Sequence, residues 1–134
     1  MINRVGNAMK KILVVDDDEL VGIAIKEELG IEDYEVDYCL SGQEAIKNVK
    51  TESYDLIIID LVMPEMDGVE TCKTIKKEYP DINLICMTGH FDGLEIIRRC
   101  DFLKGGGRAD HLYKPFKEGE LKKLVKWYLF YEST

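Results

Sequence analysis

Two stretches of this chain, Ile12-Leu13-Val14-Val15 and Leu56-Ile57-Ile58-Ile59, are apolar at every position. A strand with one wet face alternates polar and apolar residues, so a strand that is apolar throughout has to be covered on both faces. Helix-like segments separate such runs from end to end. Glu19–Leu29 has Leu20, Ile23, Ala24 and Leu29 on one helical face and Gly30 as a stop. Glu35–Leu40 alternates like a half-buried strand near a sheet edge, and Ser41-Gly42-Gln43-Glu44 opens a helix to about Glu52. Asp55–Ile59 is a buried strand. Asp67-Gly68 is a turn, followed by a helix over Val69–Tyr79 that Pro80 stops. Ile82–Met87 is the fourth strand. Asp92 is the expected N-cap of a helix to about Lys104, which Gly105-Gly106-Gly107 ends. Ala109–Tyr113 is a fifth strand and Lys117–Glu132 a last helix.

Five βα units predict an α/β fold: a five-stranded parallel sheet with helices on both faces. The expected strand order is the flavodoxin-like 2-1-3-4-5, whose switch point lies between strands 1 and 3, outside their carboxyl ends. A length of 134 residues, 46% of them hydrophobic, is ample for one core.

Strands 1 and 3 both end in acid, at Asp16-Asp17-Asp18 and at Asp60. Strand 4 ends at Thr88 and strand 5 at Lys114, on the same rim, whereas strand 2 ends without a charged group. Each residue type has an ordinary use there: Asp before a helix is commonly an N-cap, and Asp18 is read as one. Together, four strand ends bearing Asp, Asp, Thr and Lys around one crevice point to a site. Asp16, Asp17 and Asp60 can offer carboxylates to Mg²⁺ (or Mn²⁺), a hard cation held by oxygen. A carboxylate can also be a nucleophile that forms an aspartyl-phosphate. Phosphoryl transfer asks a protein mainly to position groups and neutralise the equatorial oxygens. The cation would cover one oxygen, the Lys114 ammonium a second and the Thr88 hydroxyl a third.

Composition narrows the partners. The formal net charge of −8, from 18 Lys and Arg against 26 Asp and Glu, argues against direct binding to nucleic acid or to an anionic membrane. The apolar runs are too short to span a bilayer, and no apolar stretch before the acidic triplet resembles a signal peptide. Four cysteines without a Cys-x-x-Cys pair read as reduced, mostly buried thiols in a cytoplasmic protein.

At this point the chain resembles a known family, the receiver domain of two-component response regulators (CheY-like), from about Lys10 to Tyr131. Ile12-Leu13-Val14-Val15-Asp16-Asp17 is similar to the family's first acidic motif. Ile59-Asp60-Leu61-Val62-Met63-Pro64 with Asp67-Gly68 is similar to its phosphoacceptor motif, and Thr88 and Lys114-Pro115-Phe116 to the last two. The resemblance implies a receiver domain over 10–132, an N-terminal extension at 1–9 and a tail at 133–134. It implies that Asp60 takes a phosphoryl group from a phosphohistidine on a sensor histidine kinase or phosphotransfer protein. It also implies that Asp16, Asp17, Asp60 and the Val62 carbonyl hold Mg²⁺, and that Lys114–Pro115 is cis. The phosphorylated state is expected to switch the face made by helix 4, strand 5 and helix 5. That face would act on a downstream protein target or an output domain beyond this chain, or form a homodimer. The role is that of a signalling phosphoacceptor, an enzyme at most toward its own phosphate.

Three features depart from the family pattern. His111 stands where a switch Tyr or Phe coupled to Thr88 is usual, and brings a group that titrates near neutral pH. It is expected either to swing inward with Thr88 or to sit half-exposed on an edge strand. In the family the positions of Val62 and His90 flank the phosphoryl group, so Val62 is expected to shield it and His90 either to orient a water or to point outward. The glycine corner at 105–107 reads as a mobile corner of the signalling face or as a solvent loop. In the last helix Leu121, Leu124, Val125 and Tyr128 form the core face. Trp127, Phe130 and Tyr131 are then surplus aromatics, suited to a partner or dimer surface or to packing on the first helix. Two other functions share parts of this pattern. A haloacid-dehalogenase-like phosphatase would use Asp16 with Asp18, but no Gly-Asp-rich motif follows Lys114 and Asp60 has no role. A receiver-like module that only binds a partner would not need every required residue type.

Overall fold

The strands β1 (Lys11–Val15), β2 (Glu35–Cys39), β3 (Leu56–Asp60), β4 (Asn83–Thr88) and β5 (His111–Tyr113) are all parallel and lie in the order β2-β1-β3-β4-β5. They belong to a computed structural model that describes residues 9–89 and 92–131. The doubly apolar runs sit where their composition requires: Ile12–Val15 and Leu56–Ile59 are wholly buried. Their alternate side chains feed two cores. Leu13, Val15, Ile57 and Ile59 meet α2 (Gly42–Thr51), α3 (Gly68–Glu78) and α4 (Glu95–Lys104) through Ala45, Val49, Cys72, Ile75 and Phe102. Ile12, Val14, Leu56 and Ile58 meet α1 (Glu19–Gly30) and α5 (Glu120–Lys126) through Ile25, Leu29, Leu121 and Val125.

The helix starts follow their capping residues. Asp18 accepts the Leu20 N–H at 3.0 Å, Ser41 the Glu44 N–H at 3.1 Å and Asp67 the Glu70 N–H at 2.9 Å. Asp92 does not cap α4, which starts three residues later behind Leu94 with no side-chain cap. Its carboxylate instead accepts the Leu94 N–H and both Arg98 Nη groups, at 3.1, 2.9 and 2.8 Å.

The inner face of α1 also differs from the sequence reading. Gly22, Ile25 and Leu29 are buried, whereas Leu20 is 72% exposed and Ile23 and Ala24 also face out. A Cβ on Gly22 would stand 2.7 Å from Tyr38 Cγ, so the stripe that lies closest to the sheet is the one with a glycine in it. Counting apolar side chains selects the wrong stripe.

The chain's last helix begins later and ends differently than predicted. Gly119, at φ 80°, turns the chain into α5 at Glu120, and Glu120 accepts the Lys117 N–H at 3.1 Å. Beyond Lys126 the helix widens into a π turn, Trp127–Tyr131, in which Tyr128 and Leu129 are both buried. Leu121 and Val125 are buried as expected and Leu124 is half-buried. Trp127, Phe130 and Tyr131 are 49%, 46% and 53% exposed. Phe130 stacks on Tyr34 and Trp127 on Tyr131. Glu132, His90 and the outer termini lie outside the described residues.

The glycine corner is packed. The Gly107 N–H donates to Phe102 O and the Gly106 N–H to Leu103 O, at 2.9 and 3.0 Å, with Gly106 at φ 106°. This is the paired closure of a Schellman cap. A Cβ on Gly107 would meet the Phe102 ring at 2.2 Å, so the third glycine is required by that buried ring.

Candidate functional site

The register sets the site. Val15 pairs with Ile59 and Asp60 with Met87, so Asp16 and Asp60 emerge side by side where β1 and β3 end. The Asp16 N–H continues the ladder to Cys39 O, and the Leu61 N–H continues it to Met87 O. Asp16 and Asp60 are each 2% exposed and Thr88 is 1% exposed. The Lys114 N–H binds Thr88 O at 2.9 Å, which fixes where the lysine leaves β5, and the Lys114–Pro115 bond is cis.

Lys114 reaches across the rim. Its Nζ donates to Asp16 Oδ2 at 2.8 Å and to Asp60 Oδ2 at 3.1 Å. The other oxygens are held by backbone: Asp60 Oδ1 accepts the Val62 N–H at 3.2 Å and Asp16 Oδ1 the Asp18 N–H at 2.9 Å. Burial pushes the Asp60 carboxyl above the usual carboxylate range, and the neighbouring Asp16 charge adds to this; Lys114 pulls partly the other way. For Lys114, burial opposes the charge, but the hydrogen bond to Asp16 and the Asp60 charge outweigh it and raise its pKa.

Asp17 is exposed, yet it offers an oxygen to the same point. One ligand atom each from Asp16, Asp17 and Asp60 lies within 4.8 Å of the others. Three convergent carboxylates are hard oxygen donors of the kind Mg²⁺ takes, with room left for waters and a phosphate oxygen. The set fits a divalent cation, with Lys114 holding the two buried carboxylates together otherwise.

Two residues support this geometry in ways the sequence reading did not foresee. Gly68 lies against the end of β3, where a Cβ would come within 2.4 Å of Asp60 O, and its N–H donates to Leu61 O. Its place after an N-cap marked only a turn. Glu65 adopts φ 67° between Pro64 and Met66, and the Met66 N–H closes onto Pro64 O at 2.7 Å. A side-chain-bearing residue in that region costs on the order of 1 kcal/mol and carries no sequence signature.

Of the remaining predicted residues, Val62 is half-buried beside Asp60. His111 is not on the rim. It sits half-buried on the edge strand, with its ring edge-on to Tyr113 at 4.8 Å. The Asp18 carboxylate caps α1, which takes it away from any role as the second acid of an Asp16 phosphatase. Beside the rim a groove of about 540 Å³ runs between Leu20 and Ala24 of α1 and Lys114-Pro115-Phe116.

Comparison with known proteins agrees with this geometry. The model of the response regulator receiver domain family matches residues 12–126. The sporulation initiation phosphotransferase F of Bacillus subtilis is 34% identical over 125 residues, covering 93% of this chain and 98% of the relative. The alkaline phosphatase synthesis transcriptional regulatory protein PhoP of the same organism is 35% identical over 123 residues, 87% of this chain but 47% of the relative. The chain thus spans about half the length of such transcriptional regulators. Among solved structures, a CheY-like response regulator receiver domain protein from Methanospirillum hungatei superposes with a TM-score of 0.83 at 28% identity, covering 91% of this chain and 94% of the other. The chain belongs to the response regulator receiver domain family.

Proposed function

We propose that this receiver domain stores a signal as an acyl phosphate on Asp60, taken from a phosphohistidine of a sensor kinase or phosphotransfer protein. An Asp60 carboxylate oxygen attacks phosphorus, the P–N bond to the donor imidazole breaks, and the nitrogen leaves with its electron pair and takes up a proton. Lys114, already 3.1 Å from Asp60, would balance one phosphoryl oxygen, and the Thr88 hydroxyl would take another. Asp16, Asp17, Asp60 and the Val62 carbonyl would hold Mg²⁺ (or Mn²⁺), which supplies charge neutralisation when bound. The observation that carries this reading is the burial of Asp60 beside Asp16 with one lysine bridging both.

The phosphate biases a two-state equilibrium, and the output leaves through α4, β5 and α5. Ile96, Ile97 and Trp127 are 70%, 57% and 49% exposed there, which suits a downstream protein or a second copy of this chain. The only catalysis this role includes is of the domain's own phosphorylation and dephosphorylation.

Acetyl phosphate with Mg²⁺ is the test. A labile mass gain of roughly 80 Da, one phosphoryl group, is expected in the wild type and in Asp16→Asn but not in Asp60→Asn. A gain that persists in Asp60→Asn would remove Asp60 as the acceptor. Light scattering over a dilution series, with and without a phosphate mimic, tests the homodimer; a monomer throughout would exclude it.

A further inference from the structure

Asp16 and Asp60 are placed by the sheet ladder itself, but Val62 is not. It lies past the ladder bond from the Leu61 N–H to Met87 O, in the turn that leads to α3. That turn folds back on itself: the Gly68 N–H closes onto Leu61 O at 3.0 Å, and Glu65 holds a φ of 67° within it. Its outer side leans on the first turn of α2. Gly42 is buried there, and a Cβ on it would overlap Thr71 Oγ1 and stand 3.0 Å from Met66 Sδ. Thr71 is wholly buried in the first turn of α3. Its hydroxyl donates at 2.8 Å to Asp67 O, the carbonyl that also accepts its own N–H. The wall behind the turn is therefore bare backbone of α2, approached closely from two places. That wall is fixed, because the Ser41 side chain caps α2 and Ala45 and Val49 anchor it in the core.

We propose that Gly42, through its contacts with Met66 and Thr71, is a positioning residue for the Val62 carbonyl, so that α2, which supplies no ligand, governs divalent cation affinity. The inference rests on the metal reading given under the proposed function. The Val62 N–H is tied to Asp60 Oδ1 at 3.2 Å, and the turn beyond it is closed by bonds within itself. The path of such a turn is set by what it packs against. A side chain at position 42 would press on Thr71 and Met66 together. A close-packed interior passes such a push on rather than absorbing it. Thr71 would carry Asp67 O with it through their hydrogen bond, and Met66 would carry the turn, which moves the peptide groups that follow Asp60. Groups that orient ligands without touching the metal commonly set its affinity as strongly as this.

The test uses the full chain, with Mg²⁺ titrated by amide and carbonyl-carbon NMR and no phosphodonor present. Gly42→Ala is expected to raise the Mg²⁺ dissociation constant about tenfold and to shrink the Mg²⁺-induced carbonyl shift of Val62 at saturation. In Gly42→Ala with Thr71→Ala the hydroxyl that the new methyl overlaps is gone. Both readouts should then return most of the way to wild type, the non-additivity of groups in contact. Met66→Ala withdraws the same contact from the loop side without crowding. It should weaken binding in the same direction, and it carries the test if Gly42→Ala does not fold. Val49→Ala, a cavity further along α2, should lower the metal-free melting midpoint yet keep the wild-type constant and Val62 shift. Wild-type Mg²⁺ binding in either folded wall variant would overturn the link. So would a double variant as weak as Gly42→Ala, or an equal loss in Val49→Ala, which would mark general destabilisation. No Mg²⁺-induced shifts at Asp16, Asp17 and Asp60 of the wild type would overturn the metal reading, and the link with it.

Discussion

Each end of the sheet is organised around one lysine among carboxylates, and the two ends differ in access to water. At the carboxyl rim Lys114 bridges Asp16 and Asp60, both 2% exposed. At the opposite rim Lys11 binds Glu52 and lies 3.5 Å from Glu35 and 4.0 Å from Asp37, whose side chains are 46%, 55% and 39% exposed. The chemistry is the same, yet at the carboxyl rim burial itself pushes the Asp60 carboxyl above the usual carboxylate range. Two carboxylates out of water next to each other favour whatever brings positive charge, whereas solvated ones have water for that purpose.

The largest break in this contrast is expected from Lys114→Met. It leaves two buried carboxylates without a cation and should lower stability by about 3 kcal/mol at neutral pH. Urea denaturation without divalent metal measures it. Adding Asp60→Asn should return most of the loss, because only one buried charge then remains. A loss below that of an ordinary surface substitution would show that Lys114 does not hold the rim together.

Metal should act next. A ligand that binds only the folded state stabilises it by about 2.7 kcal/mol at a hundred times its dissociation constant. Mg²⁺ should raise the melting temperature of the wild type, and of Lys114→Met at lower concentration, since no ammonium then competes for Asp16. Asp17→Asn should weaken the response. The same titration of Lys11→Met should match the wild type, because the solvated rim has no convergent carboxylate set among the described residues.

Asp60→Asn alone should stabilise the metal-free domain, by about 1 kcal/mol. The sign follows from the raised pKa: the favourable contribution of protonated Asp60 is fully present below the unfolded value of 3.8 and is lost as pH rises through the higher folded value. At neutral pH the wild type has lost it, and the amide cannot lose it. The stability profiles of the two proteins should therefore converge on acidification. Parallel profiles would mean that burial does not disfavour the Asp60 charge.

How far this contrast was legible in the sequence depends on the range of the interaction. The doubly apolar runs require a covered parallel sheet, and their terminal acids mark the rim before any coordinates, because strand order follows from local pattern and handedness. Asp16, Asp60, Thr88 and Lys114 are brought together as that order demands. The apolar pattern points to the wrong stripe of α1 because the residue nearest the sheet, Gly22, has no side chain to count. Three glycines in a row suggest a loose corner, but the third answers to Phe102, buried against it. The hydrogen bond from Arg99 of α4 to the Tyr113 hydroxyl of β5 joins different elements and leaves no periodic trace. The Lys11 cluster was invisible for the same reason: its carboxylates come from β2 and the end of α2, and only the register joins them.

The smallest effect is the sharpest control. Lys11→Met keeps the aliphatic stem near the Tyr54 ring, 5.6 Å from the ammonium, and removes the charge with its hydrogen bond to Glu52. Exposed ion pairs contribute about 0–1 kcal/mol, so the loss should stay within that range. Hydrogen bonding to Glu52 leads the rise in the Lys11 pKa, so its contribution is present below 10.5 and is lost only as pH rises through a still higher folded value. The difference between Lys11→Met and wild type should therefore be flat across the neutral range. It should also vanish in about 1 M salt, where the screening length falls to about 3 Å. The Lys114→Met loss should largely survive the same concentration of a monovalent salt without divalent cation, because buried charges are screened far less than solvated ones. Equal salt sensitivity of the two variants would mean that water reaches both ends alike, and the distinction between a stored charge and a solvated one would fall.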